Sequence, residues 1–548
     1  MPSFISPDVT ILERDLSPIA PGVAVNVMAF VGRAQWGPVW TRVQQTDEKE
    51  FAGTFGPPTS ATYEDFFTMA SFFKYATTAQ FVRVVDPATA KNARINVTSA
   101  GAVAATSGNY IPDKDLYSPV YATELWQIFG KYPGVFGNTN IRVSNINYTT
   151  WNTPVAATSG FIPGIEHGPT TSDEYVVLVE TLMSDGVSWE VAEQFLVSHT
   201  PGKKDSEGNN MYCQEKINIE SAYILLYNKS TNTSSMRAGF GSQMLTYGND
   251  GTPGKQNIID AWDLFSNPEE VEVNYLVGGA YASADKEIAL RVIEIAQLRA
   301  DCFAIVDVPK SDVVGVAAVA TQVANVINTR KAVLNSNTSY AALYANWLYI
   351  YDKYNDTYHW IPSGGHVAGI YAYTADTTDA WFAPAGLNRG ILRGVSKIAL
   401  NPKKSYRDSM YKEQVNPICS FPGQGVVVWG QKTMQTKASA FDRVNVRLLF
   451  LYMEKSLGKS AKYIVFEQND NLTRAIFSNM AVPFLDDIKG RRGVYDFLVD
   501  VSDKVNTPER IDRNEFWAEI YVKPTKTAEF VVIRFTATKT GVDFAELA

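Results

Sequence analysis

The sequence predicts a multidomain protein of class α/β plus α+β. An α/β domain is interrupted by an all-β insertion and followed by a C-terminal α+β domain, with an extended arm at each end. Three observations carry this reading. A β–loop–α–β rhythm opens the chain and returns after residue 270. Between these stretches the texture changes to short alternating runs with few charges. Both termini hold β-branched and aromatic runs with no evident partner nearby in sequence. A length of 548 residues exceeds one core and fits about three or four domains.

The N-terminal arm, residues 1–20, places Phe4, Ile5, Val9, Ile11 and Leu12 around Pro7, ahead of Glu13, Arg14 and Asp15. The α/β domain is expected over residues 21–90 and 255–390. Its first part holds a β-rich run at 23–33, a break at Gly37-Pro38, a helix from Tyr63 to Tyr75 and a buried strand from Gln80 to Asp86. The helix shows apolar Phe66, Phe67, Met69, Ala70 and Phe73, with Glu64 and Asp65 in its first turn. Residues 91–254 read as an outer, all-β insertion. Only six charges fall between Asn96 and Ile165, and Tyr175–Thr181 and Ala222–Tyr227 read as strands. The α/β pattern then resumes with strands at Val273–Val277 and Cys302–Asp307. Helices follow at Ala284–Arg299 and Val313–Lys331, and residues 340–351 read as one further strand.

The C-terminal domain, residues 391–537, opens with a basic helix (Lys403, Lys404, Arg407, Lys412) and strands at Asn416–Phe421 and Val426–Trp429. An amphipathic helix over Ala440–Ser456 carries Phe441, Val444, Leu448, Leu451 and Tyr452 on one face, with Arg443 and Arg447 off it. A short strand at Ile464–Phe466 precedes a helix from Asn471 to Ile488 and the basic cluster Lys489, Arg491 and Arg492. The closing strands are Tyr495–Val501, Glu515–Val522 and Glu529–Phe535, the last containing Phe530, Val532 and Phe535. Residues 538–548 form a C-terminal arm in which Val542, Phe544 and Leu547 alternate with polar residues after Gly541. An unpaired strand is a template for another chain, so a chain with one at each end is expected to be woven into an assembly.

Enzyme signatures are absent from the sequence. Of the four histidines, His359 and His366 are separated by a Gly-Gly turn and match no metal-ligand spacing. Gly248–Lys255 lacks phosphate-loop spacing, and Gln256 stands where a Mg²⁺-binding hydroxyl would be needed. It reads as a turn re-entering the α/β domain. No catalytic, metal or cofactor residue is therefore assigned. Cys213, Cys302 and Cys419 are odd in number and far apart, so buried thiols in a reducing cytoplasm are expected. The N-terminus has no signal-peptide features and no stretch is long enough to span a bilayer, so membrane insertion is not expected. A pI of about 5.3 without a basic, aromatic-interleaved stripe argues against nucleic acid. Charge is nevertheless asymmetric: residues 391–548 hold 24 Lys and Arg against 18 Asp and Glu, leaving 25 against 39 for residues 1–390. Either the C-terminal region faces something acidic, or a large surface has drifted.

Several segments, in order, resemble the contractile tail sheath proteins of myovirus-type bacteriophages. They are Ser6–Glu13 and Pro18–Val23, Ala29-Phe-Val-Gly-Arg-Ala-Gln-Trp-Gly-Pro38, Phe51–Gly56, Lys131-Tyr-Pro-Gly-Val-Phe-Gly-Asn138, Gly369–Thr377 with Ala383–Gly386, and Gly541–Leu547. Two positions depart from the family pattern: Asp8 stands where Gly is usual and Phe136 where Trp is usual.

The resemblance implies a subtilisin-like topology for the α/β domain. It also implies a sheath subunit of the virion tail, assembled in the host cytoplasm as stacked hexameric rings around an inner tube and linked by its terminal arms. Its partners would be copies of itself, the inner tail tube protein, and baseplate and tail terminator proteins. Contraction would need no nucleotide. Arg443, Arg447, Lys489, Arg491 and Arg492 are the candidates to face an acidic tube, unless they form a solvated helix face. The sheath of a tailocin or another contractile injection system is the near alternative. A cytosolic α/β enzyme is the distant one, and would need a cleft of convergent polar groups.

Overall fold

A computed structural model describes residues 26–105, 107–152, 168–183, 186–229 and 239–529. Its centre is a seven-stranded sheet in the order Val415–Asn416, Ala341–Tyr344, Phe303–Asp307, Tyr275–Val277, Val27–Gly32, Thr78–Arg83, Arg42–Gln45. Neighbours are parallel except the last pair. Parallel strands covered on both faces must be apolar on both faces, and Val27–Gly32 is buried at every position. Ala29 and Val31 meet Leu276, Ala304 and Val306 on one side, under Trp262 and the helix Lys286–Arg299. Met28 and Phe30 meet Phe81, Val277 and Ile305 on the other, under the helices Tyr63–Phe73 and Gly364–Thr377.

Local chemistry sets the helix ends. Asp285 caps Lys286–Arg299 by accepting from the Glu287 N–H at 2.8 Å. A buried carboxylate from the sheet serves the helix Gly364–Thr377. Asp307, at a strand's end, accepts from the Ser363 N–H (3.0 Å), the Ser363 hydroxyl (2.5 Å) and the Gly364 N–H (3.0 Å). Gly364-Gly365, expected as a turn between two histidines, thus begins a helix. Glycine is required there because a Cβ on Gly365 would stand 2.1 Å from the Thr68 carbonyl oxygen of the facing helix.

The expected strand 340–351 is two strands in different sheets. Ala341–Tyr344 joins the central sheet, whereas Trp347–Asp352 pairs with Thr357–Pro362 and Val395–Ile398. Asn346 makes the break. Its buried amide donates to the carbonyls of Leu400 (2.6 Å) and Ile418 (3.1 Å) and accepts from the Leu400 N–H (3.0 Å). A period-2 apolar pattern continues through such a residue and does not reveal it.

Between Arg83 and Lys255 lie two four-stranded antiparallel sheets sharing one core that includes Ile95, Trp126, Ile128, Val143, Tyr175 and Val177. This region is not purely β. It also holds the helix Cys213–Glu220, in which Cys213 and Ile217 reach the core while Ile219 is exposed. Two buried apolar residues are too few to show a helical period in sequence.

Past the central sheet, the helices Val444–Ala461 and Asn471–Gly490 share a core with the hairpin Val494–Asp500/Glu519–Pro524. Ile464–Phe466, expected as a strand, is a turn between these helices, with Phe466 fully exposed at φ 74°.

Burial pushes the Asp307 carboxyl up to about 7. Its folded form holds a proton more tightly than its unfolded form, so this contribution to stability is complete below about pH 4 and is lost as pH rises through about 7. Buried Asp65 and His366 titrate alike in the natural chain and in Asp307→Asn, so in denaturant unfolding the change in stability from pH 5 to pH 8 is expected to be more negative for the natural chain than for the variant, by an amount on the order of a few kcal/mol.

Candidate assembly interface

In the C-terminal hairpin, Phe497 stands opposite Val522, Leu498 opposite Tyr521 and Val499 opposite Ile520. Phe497, Val499, Ile520 and Val522 lean on the helical core. The other face displays Tyr495, Leu498 and Tyr521, each more than half exposed. Among the described residues no third strand joins this pair. Among the described residues, two open edges of seven and six residues therefore lie beside a face on which Tyr495, Leu498 and Tyr521 stand among Asp496, Asp500, Glu519 and Lys523. That is the geometry that accepts an added strand, whose backbone would complete the ladder while its side chains cover the rings.

The basic candidates separate into two groups. Arg443 and Arg447 are not at a free surface. Arg443 precedes the helix Val444–Ala461 and pairs with Asp442 at 3.1 Å and Glu529 at 2.7 Å. Arg447 is buried: it donates to the Ser339 hydroxyl at 2.6 Å and lies over the rings of Tyr340 and Phe441. Burial pulls its pKa below the ordinary guanidinium value. The helical pattern set Arg447 off the apolar stripe, but Val444 through Leu449 are buried without interruption, because this end of the helix is embedded in the α/β domain. Lys489, Arg491 and Arg492 are exposed. Lys489 reaches Asp496 at 3.0 Å, and Arg491 pairs with Asp379 and with Asp487 at 3.3 Å. Arg492 pairs with no carboxylate among the described residues. The arm positions Phe4, Ile5, Val9, Ile11, Leu12, Phe530, Val532, Phe535, Val542, Phe544 and Leu547 lie outside the described residues.

Sequence reasoning missed how the chain leaves the hairpin. Residues 525–529 return to the α/β domain as a strap. It is tied at one end by the Thr525 N–H to the Gly493 carbonyl (3.1 Å). At the other end, Glu529 is gripped by Arg443, Tyr411 and Gln431. No sequence pattern links Tyr411, Gln431, Arg443 and Glu529, which only the fold brings together.

Enzyme-like clusters do not appear among the described residues: no three of His, Cys, Asp and Glu are grouped to hold a metal ion. Cys213, Cys302 and Cys419 are buried and unbridged, and burial pushes the Cys302 thiol up to about 12 and the Cys419 thiol up to about 11. The glycine run ends with Gly254 capping the helix Lys255–Asp263. No described helix is long and apolar enough to cross a membrane.

The central-domain model of phage tail sheath proteins matches residues 251–434, and the sheath C-terminal domain model matches residues 436–538. The chain is 31% identical to the tail sheath protein of Vibrio phage KVP40, with all of both chains covered. It is 27% identical to that of Enterobacteria phage T4, covering 100% of this chain and 99% of the relative. Among solved structures, the sheath tail protein of Listeria innocua aligns with a TM-score of 0.55 at 11% identity, over 92% of this chain and 96% of that one. The contracted sheath of an extracellular contractile injection system aligns at 0.52 and 13%, over 98% and 99%.

Truncating the buried Arg447 to Ala is expected to cost about 2–4 kcal/mol in denaturant unfolding of the soluble chain. Lys489→Glu, at an exposed pair, should stay within about 0.5–1 kcal/mol.

Proposed function

This chain belongs to the phage tail sheath protein family, and on that premise we propose that it polymerises as stacked six-fold rings around an inner tail tube, each subunit donating its terminal segments to neighbouring subunits. As a tail sheath protein it is a structural component of a contractile virion tail. The observation that carries the assembly reading is the C-terminal hairpin, open on both edges among the described residues and exposing Tyr495, Leu498 and Tyr521 on its outer face. The donated segments would be residues 1–20 and the stretch beyond Glu529.

An arm of about six residues added to such an edge forms several backbone hydrogen bonds, each net roughly 0.5–1.5 kcal/mol. Burial of Phe530, Val532, Phe535 or Phe544 would add roughly 1.5–3 kcal/mol per side chain. Backbone pairing on flexible tethers lets rings rotate and slide without losing their links. Contraction would then draw on energy stored in the extended lattice, with no nucleotide. Assembly in the host cytoplasm, contacts with baseplate and tail terminator proteins, and subtilisin-like winding of the central sheet belong to the same proposal. Full-length identity to phage sheaths favours a phage tail over a tailocin or other injection system.

For the tube-facing surface, the burial of Arg447 and the pairing of Arg443 leave Lys489, Arg491 and Arg492 as the candidates. Exposed ion pairs are worth about 0–1 kcal/mol each, which suits a contact that must break on firing. The double change Lys489→Glu with Arg492→Glu is expected to lower co-sedimentation with purified tail tubes several-fold while leaving tube-free polymerisation intact. Unchanged co-sedimentation would place the tube contact elsewhere.

Electron microscopy of the full chain should show long hollow tubes. Chains lacking residues 1–25 or 530–548 should remain monomeric. Equal polymerisation of full and truncated chains would overturn arm donation.

A further inference from the structure

We infer that Glu529 is a positioning residue: its clasp by Arg443, Tyr411 and Gln431 fixes the point from which the C-terminal segment departs toward a neighbouring subunit. The inference rests on the donated-arm reading above and deepens it. Glu529 closes a strap that has little else to hold it. Residues 525–529 run between three cavities of about 380, 540 and 500 Å³, whose walls include Trp429, Ala440 and Trp381. Among the described residues its course is set by ties at Thr525, Thr527 and Glu529.

At the far end the geometry is specific. Arg443 reaches Glu529 with both arms of its fork, Nε to Oε1 at 2.7 Å and Nη2 to Oε2 at 3.0 Å. The Tyr411 hydroxyl donates to Oε1 at 3.1 Å, and Gln431 Nε2 donates to the same oxygen at 3.2 Å and to the Thr527 hydroxyl at 2.7 Å. A bidentate guanidinium–carboxylate pair fixes direction as well as distance. Here the carboxylate side chain is only 17% exposed, so solvent screens it less than a surface pair.

The clasp also crosses a boundary. Gly493, at the near end, lies in the turn that leads from the helix Asn471–Gly490 into the hairpin, whereas Tyr411 and Gln431 flank the strands Val415–Asn416 and Gly425–Val428 of the main body. The strap thus ends on the body rather than on the hairpin. An arm with a fixed origin searches less space before it reaches a neighbour, so association costs less ordering entropy. Releasing Glu529 would leave the monomer folded but let the arm's origin wander over the length of the strap.

The test measures the critical concentration for polymerisation of the full chain, with the thermal midpoint of the monomer as control. Glu529→Ala is expected to raise the critical concentration by about tenfold or more while moving the midpoint by no more than about 2 °C. Arg443→Lys, which keeps the charge but loses the fork, should fall between that variant and the natural chain. The swap Arg443→Glu with Glu529→Arg should recover most of the loss. Glu529→Ala polymerising at the natural concentration would overturn the inference. So would a loss that tracks a fallen midpoint and is not recovered by the swap, since Glu529 would then be only a structural tie. A chain that polymerises equally well without residues 530–548 would bring down the arm reading itself, and the clasp with it.

Discussion

A strand at the edge of a sheet presents N–H and C=O groups that must be paired somewhere, and this chain is organised by which edges it closes and which it leaves open. The central sheet ends in strands of only four and two residues, Arg42–Gln45 and Val415–Asn416. The insertion has a longer edge, the ten-residue strand Trp189–Ser198. There a bulge at Ala192 interrupts the register, and Glu193 is held by the Ser221 hydroxyl and the Ala222 N–H. Among the described residues, the C-terminal hairpin is a two-stranded sheet with both strands at an edge, and its outer face sets Tyr495, Leu498 and Tyr521 among Asp496, Asp500, Glu519 and Lys523.

The remainder of the molecule keeps that hairpin in a fixed relation to the body. The helix Val444–Ala461 enters the α/β core at Arg447, and its later residues Leu449, Met453 and Leu457 build the C-terminal core. Trp381 packs into the same core, and its indole N–H donates to the Arg491 carbonyl at 3.1 Å. The strap of residues 525–529 makes a third crossing. These three crossings couple the hairpin to the body, so that the described parts of the subunit can move together.

The sequence made the long regular elements legible because each buries a periodic face of its own. The helices Tyr63–Phe73 and Lys286–Arg299 and the strands Val27–Gly32 and Phe303–Asp307 fall close to where apolar spacing and capping residues put them. It misled where a tertiary partner outweighs local pattern. Asn346 divides what reads as one strand, and Gly365 turns an expected loop into a helix start by meeting Thr68. Ile464–Phe466 forms a turn despite its β-forming residues. Arg447 looked like a surface charge because the helical wheel shows one buried stripe and cannot show that a second body covers the opposite side.

By itself, then, the sequence determined that the chain is a multidomain sheath protein, since that conclusion rests on ordered local motifs. Only the tertiary structure decided which basic residues are free and which hairpin lies open. It alone showed that Glu529, Arg443, Tyr411 and Gln431 form one site. The reason is physical: a charge acts according to its burial and its nearest partners, and those come from segments more than eighty residues apart in the chain, which no local periodicity encodes.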